Sequence, residues 1–169
     1  MCQAESAVVL RSAGDVGQAV QVALRAVALS RSTGDQITLI HVLTCLGAAL
    51  IGAGNSVEAR NVLSEAIRQV LPTRHVAFLL NTFYYCAELL VLESRAADPL
   101  RPPGRLAGAV TLLSCVRTQT ATWQIYKEKA AQLQMEIAEA LPADVRATAT
   151  ARGQSCTLAE LATTLLMVG

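Results

Sequence analysis

Apolar residues recur along this chain at three- and four-residue spacing, in long stretches broken by glycine, proline, aspartate and asparagine. Leu43, Leu46 and Leu50, then Ala59, Leu63, Ala66 and Ile67, fall on the facing sides of two helices. The pattern predicts helices over 3–13, 16–32, 35–53, 56–70 and 74–94, and another opening at Gly104. A surface helix with one apolar stripe (Ile125, Leu133, Ile137, Leu141) covers 126–140, and a short last helix follows Thr157.

Two of the breaks are near copies. "GDVGQA" from Gly14 and "GNSVEA" from Gly54 each give Gly, Asp or Asn, two variable residues, Gln or Glu, and Ala, and a second Ala follows seven positions on, at Ala26 and Ala66. Glycine accepts the left-handed conformation that ends a helix. Asp15 and Asn55 suit the N-cap of the next helix, and Gln18 and Glu58 stand where a capping box places its return partner. A third copy is stretched: Gly104 is followed by Ala109, Leu113 and Val116 at the spacing of Gly54 to Ala59, Leu63 and Ala66, after a longer, proline-rich link. Helical hairpins at a period of about 34 to 45 residues predict an α-solenoid, in which each hairpin covers its apolar face against its neighbours. The expected hairpins span 3–32, 35–70 and 74–120, with capping helices over 121–169.

The stretch "LTCLGAALIGAGNSVEARNVLSEAIRQ" resembles a tetratricopeptide repeat, with Leu46-Gly47, Leu50, Gly54, Ala59, Leu63 and Ala66 at its pattern positions. The forty-residue period and the closing "RGQSCTLAELATTLL" are similar to the repeat region of bacterial signal-transduction ATPases and of LuxR-type regulators related to the maltose regulator. In that closing segment Gln154 and Ala159 depart from the usual pattern, "GQSCT" reads as a loop, and Thr157 with Glu160 forms a capping box before Leu158, Leu161, Leu165 and Leu166. The resemblance implies an all-α, right-handed α-α superhelix of about three hairpins plus C-terminal capping helices. It also implies a concave groove lined by the first helix of each hairpin. On the second hairpin that face is His41, Thr44, Ala48 and Ile51; on the third it is Phe78, Asn81, Tyr85 and Glu88. Where some family members carry the Lys, Asn and Arg that clamp a peptide carboxylate, this chain has His41, Thr44, Cys45 and Ala48, so the expected guest is an amphipathic helix or another solenoid.

Composition narrows the role. Charges nearly balance, 14 Lys and Arg against 13 Asp and Glu, which argues against general nucleic-acid binding. The hydrophobic share of 53% is high and the charged share of 16% low, so some apolar surface is expected to be covered by a protein partner or a second copy. The most apolar stretch, "FLLNTFYYCAELLVL", is interrupted by Asn81, Thr82 and Glu88 and reads as a buried helix rather than a membrane span. The N-terminal sequence lacks the basic start and apolar centre of a secretory signal, which makes a cytoplasmic location the default expectation. Cys2, Cys45, Cys86, Cys115 and Cys156 are odd in number and widely spaced, as expected of reduced core cysteines rather than a disulfide or zinc framework. His41 and His75 have no ligand-spaced acid or thiol nearby, and no phosphate-binding loop or nucleophile motif occurs. The expectation is a non-enzymatic interaction module without metal or cofactor. Two other classes are a self-associating module and a small-molecule sensor using Tyr84 and Tyr85. Trp123 is expected to anchor the C-terminal helices onto the third hairpin.

Overall fold

The computed structural model describes residues 15–96 and 104–167. The expected helix over 3–13, Gly14, Cys2 and the proline-rich link lie outside the described residues. Among the described residues every regular element is helical: α1 (Val16–Thr33), α2 (Gln36–Gly52), α3 (Ser56–Val70), α4 (Val76–Ala96), α5 (Gly104–Thr118), α6 (Gln124–Ile137), α7 (Ala143–Ser155) and α8 (Leu158–Met167). Short 3-10 turns, Leu71–Thr73 and Ala138–Ala140, follow α3 and α6.

The punctuation works by the expected chemistry, with one addition. Asp15 and Asn55 accept from the backbone N–H of Gln18 (3.2 Å) and Glu58 (3.3 Å). Asp35 caps α2 in the same way, its Oδ1 taking the Thr38 N–H at 3.0 Å while its Oδ2 takes the Thr38 hydroxyl at 2.6 Å. Those bonds hold the exposed Asp35 carboxyl below its usual range. Gly34 and Gly54 have φ of +70° and +73°, the left-handed step that ends one helix before the next cap. Among the described residues one box closes in both directions: the Thr157 N–H donates to Glu160 Oε2 (2.7 Å) and the Glu160 N–H to Thr157 Oγ1 (3.2 Å).

Packing follows chain order from α1 to α6. Consecutive helices lie against each other, and α2, α4 and α6 also meet successively, α2 on α4 and α4 on α6. The repeated alanines face this core: Ala19, Ala23, Ala59, Ala66 and Ala109 are fully buried, with Leu63, Leu113 and Val116 beside them. Gly47 lets α2 approach α3 closely, since a Cβ there would lie 2.5 Å from Leu63 Cδ2. Helix α2 has no polar face over 42–51, because α1, α3 and α4 surround it. Helix α4 is long and apolar enough to cross a membrane by length and composition, yet 61% of its most apolar window is buried, as in any central core helix.

The C-terminal part departs from simple hairpin order. Of the expected loop 153–157, residues 153–155 continue α7, and Cys156 and Thr157 alone separate it from α8. Helix α7 lies against α5 rather than pairing with α6, and α8 reaches back to α3. Gly153 makes the first contact possible: a Cβ added there would stand 2.1 Å from the Thr111 carbonyl oxygen and 2.9 Å from Ser114 Cβ.

Candidate functional site

Two helices carry the eight residues expected to line a groove, and most of those side chains go inward. Thr44, Ala48 and Ile51 on α2 and Asn81 and Tyr85 on α4 are buried, while His41, Phe78 and Glu88 keep part of their surface accessible. Thr44 joins α2 to α4: its hydroxyl sits 3.0 Å from that of Thr82. Tyr85 is covered by α6, its ring 5.9 Å from that of Tyr126 and its hydroxyl 3.4 Å from the Tyr126 hydroxyl. Burial, and next the neighbouring Tyr126, push the Tyr85 phenol far above its ordinary value, so it stays neutral. Tyr84 donates a 2.6 Å bond to Glu88. Asn81 Oδ1 is buried with no hydrogen-bond partner among the described residues.

The accessible remainder is an aromatic row running across three helices. His41 of α2 lies 5.7 Å from Phe78 of α4, and Phe78 meets Trp123, the residue before α6, edge-on at 5.8 Å. His75 flanks Phe78 from the start of α4 at 6.1 Å. Trp123 leads inward to Tyr126 at 6.2 Å, and Lys129 Nζ stands 5.7 Å over that ring. Trp123 therefore ties the start of α6 to α4, as expected of an anchor, yet remains 44% exposed, with Ile125 beside it in the sequence at 52%. The row exists because His41 and Phe78 stand on α2 and α4, which pack directly, while α6 joins α4 on its next side.

No cluster of three His, Cys, Asp or Glu suited to a metal occurs among the described residues. Burial pushes the Cys86 thiol up to about 12 and the Cys115 thiol up to about 11, so neither is a ready nucleophile at neutral pH. What the row offers is flat, rigid, amphipathic contact area.

Elsewhere among the described residues, two cavities of about 500 Å³ or more are lined by α7. One, of about 520 Å³, opens between α5, α6 and α7; its Arg117 donates to Gln134 (2.6 Å) and its Arg146 to the Ala138 carbonyl (2.6 Å). The other, of about 570 Å³, is a pocket open to solvent between α5, α7 and α8, bordered by Arg60 of α3 and Leu90 of α4; Asp144, Thr148, Arg152 and Thr164 of its lining are exposed. Neither was legible as a site, because each is assembled from single residues of several helices. The one local signal was a glycine, Gly153, inside the Ala- and Thr-rich run that became α7. Compared with protein-family models, with curated proteins and with solved structures, the chain matches none.

Proposed function

We propose that this chain is a non-enzymatic, cytoplasmic protein-interaction module. In this reading it is a tetratricopeptide-like solenoid of about three hairpins closed by C-terminal helices, with a regulatory role of the kind its sequence resemblance implies. The order of packing from α1 to α6 and the close approach at Gly47 support the architecture. The observation that carries the function is the aromatic row His41, Phe78 and Trp123, which spans three helices and ends in a half-exposed indole. Tryptophan and its aromatic neighbours are the side chains that most often dominate a protein interface. An amphipathic helix laying its apolar face on this row is the guest proposed, so the contact surface is narrower than the eight-residue groove and shifted toward the start of α6.

Trp123 is the single tryptophan, so its emission reports occupancy directly. Amphipathic helical peptides selected against the purified protein are titrated while that emission is recorded. A saturable blue shift is expected, and Phe78→Ala should weaken binding by about thirtyfold, the effect of losing one interface anchor worth ~2 kcal/mol. Selected peptides indifferent to both Phe78→Ala and Trp123→Ala would refute the reading. A second reading, self-association, draws on Leu24 and Leu29 of α1 and Val57 of α3, all large and exposed. Light scattering across a hundredfold dilution separates the two, since a dimer that persists in Phe78→Ala uses that other surface.

A further inference from the structure

We infer that the cavity between α5, α7 and α8 is a binding site for an organic acid with an apolar body, a medium-chain carboxylate. At about 570 Å³ it falls in the range that holds small organic ligands. Its apolar wall comes from Leu90, Leu112, Val145, Leu161 and Leu165. These belong to four helices, α4 and α5 from one part of the chain and α7 and α8 from another, so the cavity is a product of the tertiary fold and not of a surface groove along one helix.

Charge decides which ligand fits. Three guanidinium groups border this one cavity: Arg60 from α3, Arg105 from α5 and Arg152 from α7. One lining carboxylate, Asp144, opposes them. Arg60 and Arg105 converge on a single further acid, Glu93. Arg60 Nη2 lies 2.7 Å from its Oε1 and 2.5 Å from its Oε2, and Arg105 Nε lies 3.4 Å from the same Oε2. Glu93 is only 12% exposed, so it works as a fixed strut that holds two cations at the cavity. A guanidinium carries five N–H donors, and the Glu93 contacts engage one nitrogen of each. Arg152 makes no ion pair among the described residues. The lining hydroxyls are occupied locally, Thr111 donating to the Ala107 carbonyl, Thr148 to that of Asp144 and Thr164 to that of Glu160. An apolar cavity bordered by surplus arginine donors favours an apolar body with an anionic end. The second cavity lacks this combination, since both of its arginines already donate to amide or carbonyl oxygens.

The test uses decanoate and its uncharged counterpart decanol, titrated by calorimetry into the purified chain below their aggregation limits. Decanoate is expected to bind saturably at one site per chain, and decanol at least about tenfold more weakly, because a charged hydrogen bond contributes that much. Arg152→Gln should weaken decanoate about tenfold, whereas Asp144→Asn should strengthen it by removing the opposing charge. Thr164 is exposed at the cavity wall, so Thr164→Phe should fill the space without unfolding the chain, as circular dichroism would verify, and should abolish binding. Equal affinity for decanol, or decanoate affinity unchanged in both Arg152→Gln and Thr164→Phe, would overturn the inference. Phe78→Ala should leave decanoate binding intact, which keeps this site separate from the aromatic row.

Discussion

Gly153→Ala should destabilise this protein by about 2 kcal/mol or more, although alanine is the better helix former. In the middle of a helix the exchange favours alanine by ~1 kcal/mol. Here the added methyl carbon would stand 2.1 Å from the Thr111 carbonyl oxygen and 2.9 Å from Ser114 Cβ, well inside ordinary contact distance. The obstructing oxygen is backbone in the middle of α5 and cannot swing away, so α7 must lift from α5 by roughly an ångström. Overpacking of this kind costs about 1–3 kcal/mol, and a backbone obstruction belongs at or above the upper end. Two other glycines calibrate the result. At Gly47 the obstruction is the Leu63 side chain, 2.5 Å from the added carbon, which can change rotamer at a smaller cost. At Gly17 nothing among the described residues lies within 4 Å, so alanine should be neutral or stabilising. Urea unfolding followed by far-ultraviolet circular dichroism would rank the three variants. If Gly153→Ala unfolds at the same urea concentration as the parent or a higher one, the α5–α7 crossing described above is incorrect.

Arg74 holds φ at +59° between the 3-10 turn and α4, so Arg74→Gly should raise the unfolding free energy by about 0.5–1 kcal/mol, measured by the same urea titration. Among the four described cysteines, partly exposed Cys156 should react with a maleimide in the native state, while Cys45, Cys86 and Cys115 should react only on unfolding, as mass spectrometry of the labelled chain would show. The protein should lose stability at alkaline pH. The Cys86 thiol, raised from 9.0 to about 12, keeps its proton when folded and loses it when unfolded, so stability present below pH 9 falls by ~1.4 kcal/mol per unit up to about 12, visible in pH-dependent melting and reduced in Cys86→Ala.

Local physics explains what could be read along the chain. Helix boundaries depend on residues within a few positions of one another, and Asp15, Asn55 and Thr157 cap as their sequence context demands. Alanines at seven-residue spacing in α1 and α3 are buried for the reason that made them recognisable, namely that small side chains allow neighbouring helices to come close. The cap at Asp35 could have been found in the same way, since Gly34-Asp35 repeats the Gly-Asp of the first break. The course of α7 could not. A run of Ala, Thr and Arg with almost no apolar period does not say which neighbour it will meet, and that choice is made by Gly153 against the Thr111 carbonyl.

The fate of the eight groove residues follows from the same distinction. Periodicity places Thr44, Ala48, Asn81 and Tyr85 on particular helix faces, but whether a face stays open depends on what the rest of the chain lays over it. Tyr85 meets Tyr126 because α6 packs on α4, and α6 reaches that position through the contact of Trp123 with Phe78. The aromatic row therefore does two jobs at once: its inner rings fill the face the repeats expose, and its outer rings become the new surface. Packing of α6 on α4 leaves a short accessible ridge at His41, Phe78 and Trp123, while Tyr85 beneath it is used to hold α6 in place. The wide spacing of the cavity arginines has a matching origin. Arg60, Arg105 and Arg152 read separately as solvated helix-surface charges, and only the return of α7 and α8 across α5 and toward α3 brings them to one cavity. Both candidate sites thus depend on C-terminal helices that lack the repeat pattern, and that dependence separates this chain from a bare stack of hairpins.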